Sequence, residues 1–304
     1  MKLLSIGSIA AAYILFALLG WNFSIPPGYS CAVWYPAGIA VGSLFLIGAP
    51  ALYGIFIGSV LFNAWLGNHD WLGVSIALLI ASASSLQSYI AWRWVIARNG
   101  KDVLYRIGST LRFAWILCCS CLIAASTFVL IMLFVSSMSF KELAYQWVVW
   151  YGGDLTGMLL IVPLVISYQE ILSSSLRIQL LNSIIIFLVS LLTIITFLVS
   201  LPIFYIVFIF VTVAAYYVQY NALISVLVIS LIDAFMVHAG YLPFRGVAAP
   251  MTILYLQAFL VTCCISILSI SVLSKQEEKA LQSQLVTLQE RAKNREQRLR
   301  RWLS

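Results

Sequence analysis

The chain is 304 residues long, 63% hydrophobic and only 9% charged, where a soluble domain carries roughly a quarter charged residues. Water does not tolerate the apolar surface that such a composition exposes, so a soluble globular fold is excluded and lipid is the expected solvent. The formal charge of +7 does not point to nucleic acid. Eight of the 17 Lys and Arg follow residue 274, interleaved with four Glu, and most of the others fall in short connections, which is how a topology signal is distributed.

A helix that crosses a bilayer needs about 20 mainly apolar residues. Reading from the N-terminus, ten runs approach that pattern: 3–21, 31–48, 50–67, 72–95, 110–135, 145–168, 179–200, 202–218, 221–240 and 250–274. The expected fold is therefore all-α, a polytopic membrane bundle of eight to ten transmembrane helices. The lower count applies if the closely spaced second and third, or seventh and eighth, form a re-entrant pair. Residues 3–21 are not followed by a small-residue cleavage site and are read as the first spanning helix. Turn-forming breaks separate the runs: Ile25-Pro26-Pro27-Gly28, Gly48-Ala49-Pro50, Gly67-Asn68-His69-Asp70 and His238 to Pro243.

With Lys2 placed in the cytoplasm and the loops alternating, 15 of the 17 basic residues are cytoplasmic and only Lys141 and Arg245 are outside. This satisfies the positive-inside rule and favours an even number of helices with both termini cytoplasmic. The expected location is the inner (plasma) membrane, multi-pass. Trp34, Trp65, Trp71 and Trp147 fall near the outer surface and Trp92 and Trp94 near the inner one, as interfacial aromatic residues do.

After Ser274 the composition turns to Lys, Gln, Glu, Arg and Leu. Leu281, Leu285, Leu288, Ala292, Arg295, Leu299 and Trp302 recur at alternating spacings of four and three, a heptad seam interrupted by Arg295. The chain thus divides into a membrane domain, 1–274, and a cytoplasmic coiled-coil helix, 275–304. An isolated helix is marginal in water, so the seam asks for a partner, expected to be a second copy of this chain. A basic amphipathic helix lying on an anionic leaflet is the alternative.

Ionisable groups in a bilayer are costly and mark function. Asp154 and Asp233 are the two acids within predicted helices, accompanied by Asn63, Gln87, Gln146 and His238. At 1.5 Å per residue, Asp154 and Asp233 lie about 13 and 10 Å below the outer surface. With Asn63 and His238 in the same half, the four are expected to share one outward-facing cavity. Gly152, Gly153 and Gly157 permit close backbone approach beside Asp154. Pro36 and Pro163 interrupt backbone bonding in the second and sixth helices, which lining a cavity makes tolerable. Trp34, Pro36, Asn63, Trp150, Asp154, Asp233 and His238 are the expected ligand-binding or sensing residues.

Catalytic signatures are lacking. No His-Glu-x-x-His pair, Gly-x-Ser-x-Gly elbow or Walker loop occurs. Gly152-Gly153-Asp154 continues as Leu155-Thr156 inside an apolar run, so it is not a cyclase signature. The six cysteines have no zinc spacing and read as polarizable packing residues. Neither a metal nor a cofactor is expected.

The segments Trp34-Tyr35-Pro36-Ala37-Gly38-Ile39-Ala40, Gly58 with Asn63, and Gly153-Asp154 through Gly157 to Pro163 resemble the first of the bacterial membrane-associated sensor families, abbreviated MASE. The likeness extends over nearly the whole membrane part. It implies an integral sensory module, not itself an enzyme, that serves a histidine kinase of a two-component system, a diguanylate cyclase or a cyclic-di-GMP phosphodiesterase. No such output domain lies within these residues, so output is expected from a region or protein outside them. The stimulus is expected to be a small molecule or a membrane-protein partner. Two rivals stay open: a secondary transporter using Asp154 and Asp233, and a scaffold that recruits partners to the bilayer.

Overall fold

The structure is a computed structural model that describes residues 2–24, 31–67, 70–100, 103–199, 204–244 and 246–303. Among these there is no strand. The helices are α1 (Lys2–Asn22), α2 (Tyr35–Ile47), α3 (Ala51–Leu66), α4 (Trp71–Asn99), α5 (Ile107–Val135), α6 (Phe140–Ile166), the short α7 (Tyr168–Leu172), α8 (Leu176–Val199), α9 (Phe204–Val218), α10 (Ala222–His238) and α11 (Ala249–Leu303). Seven helical spans are long and apolar enough to cross a membrane, and α2 and α3 are shorter apolar helices. The chain is thus a multi-pass membrane protein. The breaks expected at Ile25–Gly28 and Asn68-His69, and the basic residues Lys101 and Arg245, lie outside the described residues.

Local chemistry explains the helix ends. Asp70 caps α4 by accepting from the Gly73 amide at 2.7 Å. Ser139 and Glu142 form a reciprocal capping box at the start of α6. Gly48, at φ +73°, makes the turn that separates α2 from α3, a conformation that costs glycine nothing. Pro163 removes the amide that would have bonded the Leu159 carbonyl, yet α6 continues to Ile166.

The span 206–238 is a 33-residue apolar run, but it is not one rod. A 3-10 turn at Gln219–Asn221, with Gln219 at φ +51°, breaks it. Val207, Val211 and Ala215 of α9 are fully buried, and α9 packs on α11. Residues 277–299 of α11 are exposed, so α9 must run back along the apolar part of α11. The pair α9–α10 is therefore a helical hairpin, and all ten apolar runs read from the sequence are separate helices.

In lipid, helices associate through close packing of small residues rather than through hydrophobicity. Three Gly-x-x-x-Gly pairs do this work here. A Cβ on Gly38 of α2 would lie 2.2 Å from the Gly157 carbonyl oxygen of α6, and one on Gly157 would lie 2.2 Å from the Trp34 carbonyl oxygen. Gly42, one turn after Gly38, meets Val165. Gly153 accepts from the Trp34 amide at 3.0 Å. On α3, Gly54 and Gly58 abut Ile6, Ile9, Ala10 and Tyr13 of α1. α6 is buried without a break from Gly153 to Pro163.

α11 is one helix of 55 residues, about 80 Å long. Its first half is packed in the bundle. Its second half projects alone, with Leu281, Leu285, Leu288 and Leu299 between 51% and 59% exposed. The projecting half defines a tail side of the bundle. The ends of the helices away from it form the far side.

Candidate functional site: a far-side cavity over Asp154

A cavity of about 420 Å³ lies on the far side, between α3, α4, α5 and α6 and the extended segment before α2. Its rim is made by helix ends: Gly67 after α3, Asp70 at the cap of α4, and Ser136 and Met138 between α5 and α6. Its walls are aromatic and aliphatic, including Trp21, Trp34, Phe62, Phe128 and Trp150. Trp150 stacks on Phe128 with ring centroids 3.8 Å apart, and Trp34 packs against Phe62 at 5.8 Å. Asp154 is at the floor, 5% exposed.

The floor is held by two glutamines. Gln87 of α4 donates from Nε2 to Oδ2 of Asp154 at 2.7 Å and accepts at Oε1 from the Ala124 amide of α5 at 3.2 Å. A backbone amide can only donate, so it fixes which way the Gln87 amide points. Oδ2 must then be an acceptor. Gln257 of α11 donates to the carbonyls of Cys31 at 3.1 Å and Val149 at 2.9 Å. Both of those residues line the cavity. A Cβ on Gly152 would sit 2.3 Å from Gln257 Oε1, so glycine at 152 leaves room for this Gln257 rotamer. The Trp150 indole N–H is buried without a hydrogen-bond partner among the described residues.

Of the residues expected to form the site, Trp34, Asn63, Trp150 and Asp154 line this cavity. Asn63, in the last turn of α3, bonds back to the Ser59 carbonyl at 2.8 Å and hydroxyl at 3.3 Å. Pro36 is buried in the first turn of α2 and does not line the cavity. Asp233 and His238 do not line it either. Asp233 is fully buried on α10, and neither carboxyl oxygen has a hydrogen-bond partner among the described residues. His238 ends α10, exposed, with its ring 6.0 Å from that of Phe23. The acids thus flank one short segment instead of sharing a chamber: Cys31 and Trp34 face Asp154's cavity, while the Tyr35 hydroxyl meets Ser230, three residues before Asp233, at 3.0 Å.

Gln257 was not among the expected residues. A glutamine in an apolar run of α11 is a signal that the sequence does carry, but its partners are 226 and 108 residues away. Among the described residues no group of three or more His, Cys, Asp or Glu gathers to hold a metal, and the six cysteines are free.

The family model MASE1 matches residues 6–278, from the first helix to just past the membrane half of α11. The chain belongs to the MASE1 family. MASE1 domains are membrane-associated sensor domains. The match takes in both glutamines, the three glycine pairs and every residue lining the cavity. No curated protein and no solved structure matches the chain. At its tail-side boundary this MASE1 domain has a polar collar around the root of the projecting helix. Lys275 pairs with Glu170 of α7 and sits 4.0 Å over the Tyr220 ring. Gln276 donates to the Tyr105 carbonyl at 3.1 Å, Tyr216 to Glu277 at 3.0 Å, and Lys279 lies 4.7 Å over the Tyr105 ring.

Proposed function

We propose that this chain is the sensory input part of a bacterial signal-transduction protein, in which occupancy of the far-side cavity is reported by α11. The observation that carries this reading is Gln257. One side chain of α11 holds two backbone carbonyls of the cavity wall, and the same unbroken helix leaves the bundle as an exposed heptad seam. A ligand that displaces Cys31 or Val149 must therefore break a buried hydrogen bond or move α11 with it. Each such bond left unmade costs about 1–3 kcal/mol, enough to bias a two-state helix by about fivefold to a hundredfold.

In this reading the tail side is cytoplasmic and the membrane is the bacterial inner membrane. Arg93, Arg98, Arg106, Arg112 and Arg177 fall at tail-side helix ends, which supports that orientation through the positive-inside rule. The seam pairs with that of a second copy, and the paired helices pass a shift or rotation to a kinase, diguanylate cyclase or phosphodiesterase. Asp154, Asn63, Trp34 and Trp150 contact the ligand. Asp233 lies behind the segment that bears Trp34 and sets its position through α10.

The test joins residue 304 to a diguanylate cyclase reporter and compares Gln257→Leu with the unsubstituted fusion. Leucine fills similar space without the two bonds. Cyclase output is expected to change at least tenfold in one direction, with insertion and fold retained. Unaltered output would refute transmission through Gln257. A transport reading draws on Asp233, a fully buried carboxyl without a partner. Uptake of labelled solute into proteoliposomes separates the two, since a sensor moves nothing.

A further inference from the structure

We infer that the cavity binds an organic cation with an apolar body, such as an aromatic or quaternary amine, with Asp154 as its counter-charge. The inference takes the cavity of the proposed sensor as its site and rests on that reading for its biological meaning.

Charge is the first observation. Asp154 is at the floor and Asp70 at the rim, and none of the described lining residues is Lys, Arg or His. An acid taken out of water stays ionised only if it is compensated, by a cation or by hydrogen bonds. Gln87 supplies one hydrogen bond, to Oδ2, and no base is provided by the described residues around it. Asp70 is already spent on capping α4. What the ionised carboxylate still lacks is thus one positive charge, close to the free oxygen of Asp154.

The walls say what surrounds that charge. Trp21, Trp34, Phe62, Phe128 and Trp150 come from five different elements and converge on one space. Aromatic faces attract a cation electrostatically, most strongly where water is excluded. The same faces would repel an anion, as would Asp154. At about 420 Å³ the space falls within the ordinary range for small-molecule sites, larger than an inorganic cation needs. Inorganic cations would also want several oxygen ligands, whereas Ile76, Ile80, Met132 and Val149 complete a lining that is mostly apolar. A further polar group is Asn63, whose amide nitrogen is engaged by Ser59. Its carbonyl oxygen is the end left to meet a donor on the ligand.

The experiment uses the full chain in phosphatidylcholine nanodiscs, with benzyltrimethylammonium as the cation and neopentylbenzene as its neutral isostere. Binding is read by quenching of tryptophan fluorescence and by calorimetry. The cation is expected to bind saturably and at least tenfold more tightly than the isostere. Asp154→Asn is expected to abolish that preference, and Phe62→Leu to weaken the cation severalfold while leaving the order unchanged. Equal affinities for cation and isostere, no saturable binding of the cation, or a full preference in Asp154→Asn would each overturn the assignment. The isostere comparison needs no variant, so it decides even if Asp154→Asn fails to fold. The cyclase fusion separates this from the sensory reading. Cation binding without any change of output would sink the sensor and leave the site. Output that responds to Gln257→Leu in a protein that binds no cation would do the reverse.

Discussion

Alanine at Gly38 probes the contact on which the whole far-side architecture depends. The added Cβ would stand 2.2 Å from the Gly157 carbonyl oxygen and 2.7 Å from Ile161 Cβ. A relaxed carbon–oxygen contact is about 3.3 Å, so α2 and α6 must part locally by about 1 Å. The obstruction is backbone, and no rotamer change can relieve it. A gap of that size forfeits a quarter to a half of each dispersion contact along the crossing. It also strains the Trp34 amide bond to the Gly153 carbonyl, now 3.0 Å long. Overpacking typically costs about 1–3 kcal/mol, and the rigid neighbour places this case at the upper end, about 3 kcal/mol. Gly7→Ala is the control, because nothing lies within 4 Å of its added Cβ; it should fall within about 0.5 kcal/mol of the parent. Unfolding in mixed bicelles by sodium dodecyl sulfate measures both. A Gly38→Ala protein as stable as Gly7→Ala would refute close α2–α6 packing and, with it, the placement of Trp34 over Asp154.

Three further outcomes follow from buried charge, exposed seam and collar. Asp233→Leu replaces a fully buried, unpartnered carboxyl with a side chain of similar size, and is expected to leave stability unchanged or raise it by about 1–3 kcal/mol; a loss of 2 kcal/mol or more, in the same unfolding assay, would mean that Asp233 has a stabilising partner. Leu288→Cys on the exposed seam should cross-link two chains under mild oxidation in membranes, with Thr287→Cys far less efficient; equal yields would argue against a heptad interface. Lys275→Met removes the pair with Glu170, itself 43% exposed, and should cost less than about 1 kcal/mol in stability while shifting basal output of the cyclase fusion, because it loosens the root of the projecting helix; unaltered output would restrict the collar to a passive role.

Much of this protein is legible in its sequence. Each of the ten apolar runs is a helix because a lipid-embedded backbone must satisfy its own hydrogen bonds, and helix is the local way to do so. The change of composition after Ser274 marked where α11 leaves the bundle. Asp154 stands out because an acid within an apolar run is rare enough to carry meaning by itself, Asn63 because it is a polar group within such a run, and Trp34 and Trp150 because each opens a segment rich in small residues.

What escaped was partnership. Asp154 and Asp233 sit at similar depth, and depth alone suggested a common chamber, but the segment 31–35 comes between them. The role of Gln257 depends on a glycine at 152 and on two carbonyls far away in sequence. Apolar runs fix how many helices form and where they end, since those depend on residues near one another in the chain. They do not say which helix faces which, because lipid is as welcoming as a neighbouring helix to nearly every apolar side chain. That choice falls to a few glycine crossings and buried amides whose complements lie on other helices, so only the assembled bundle reveals it.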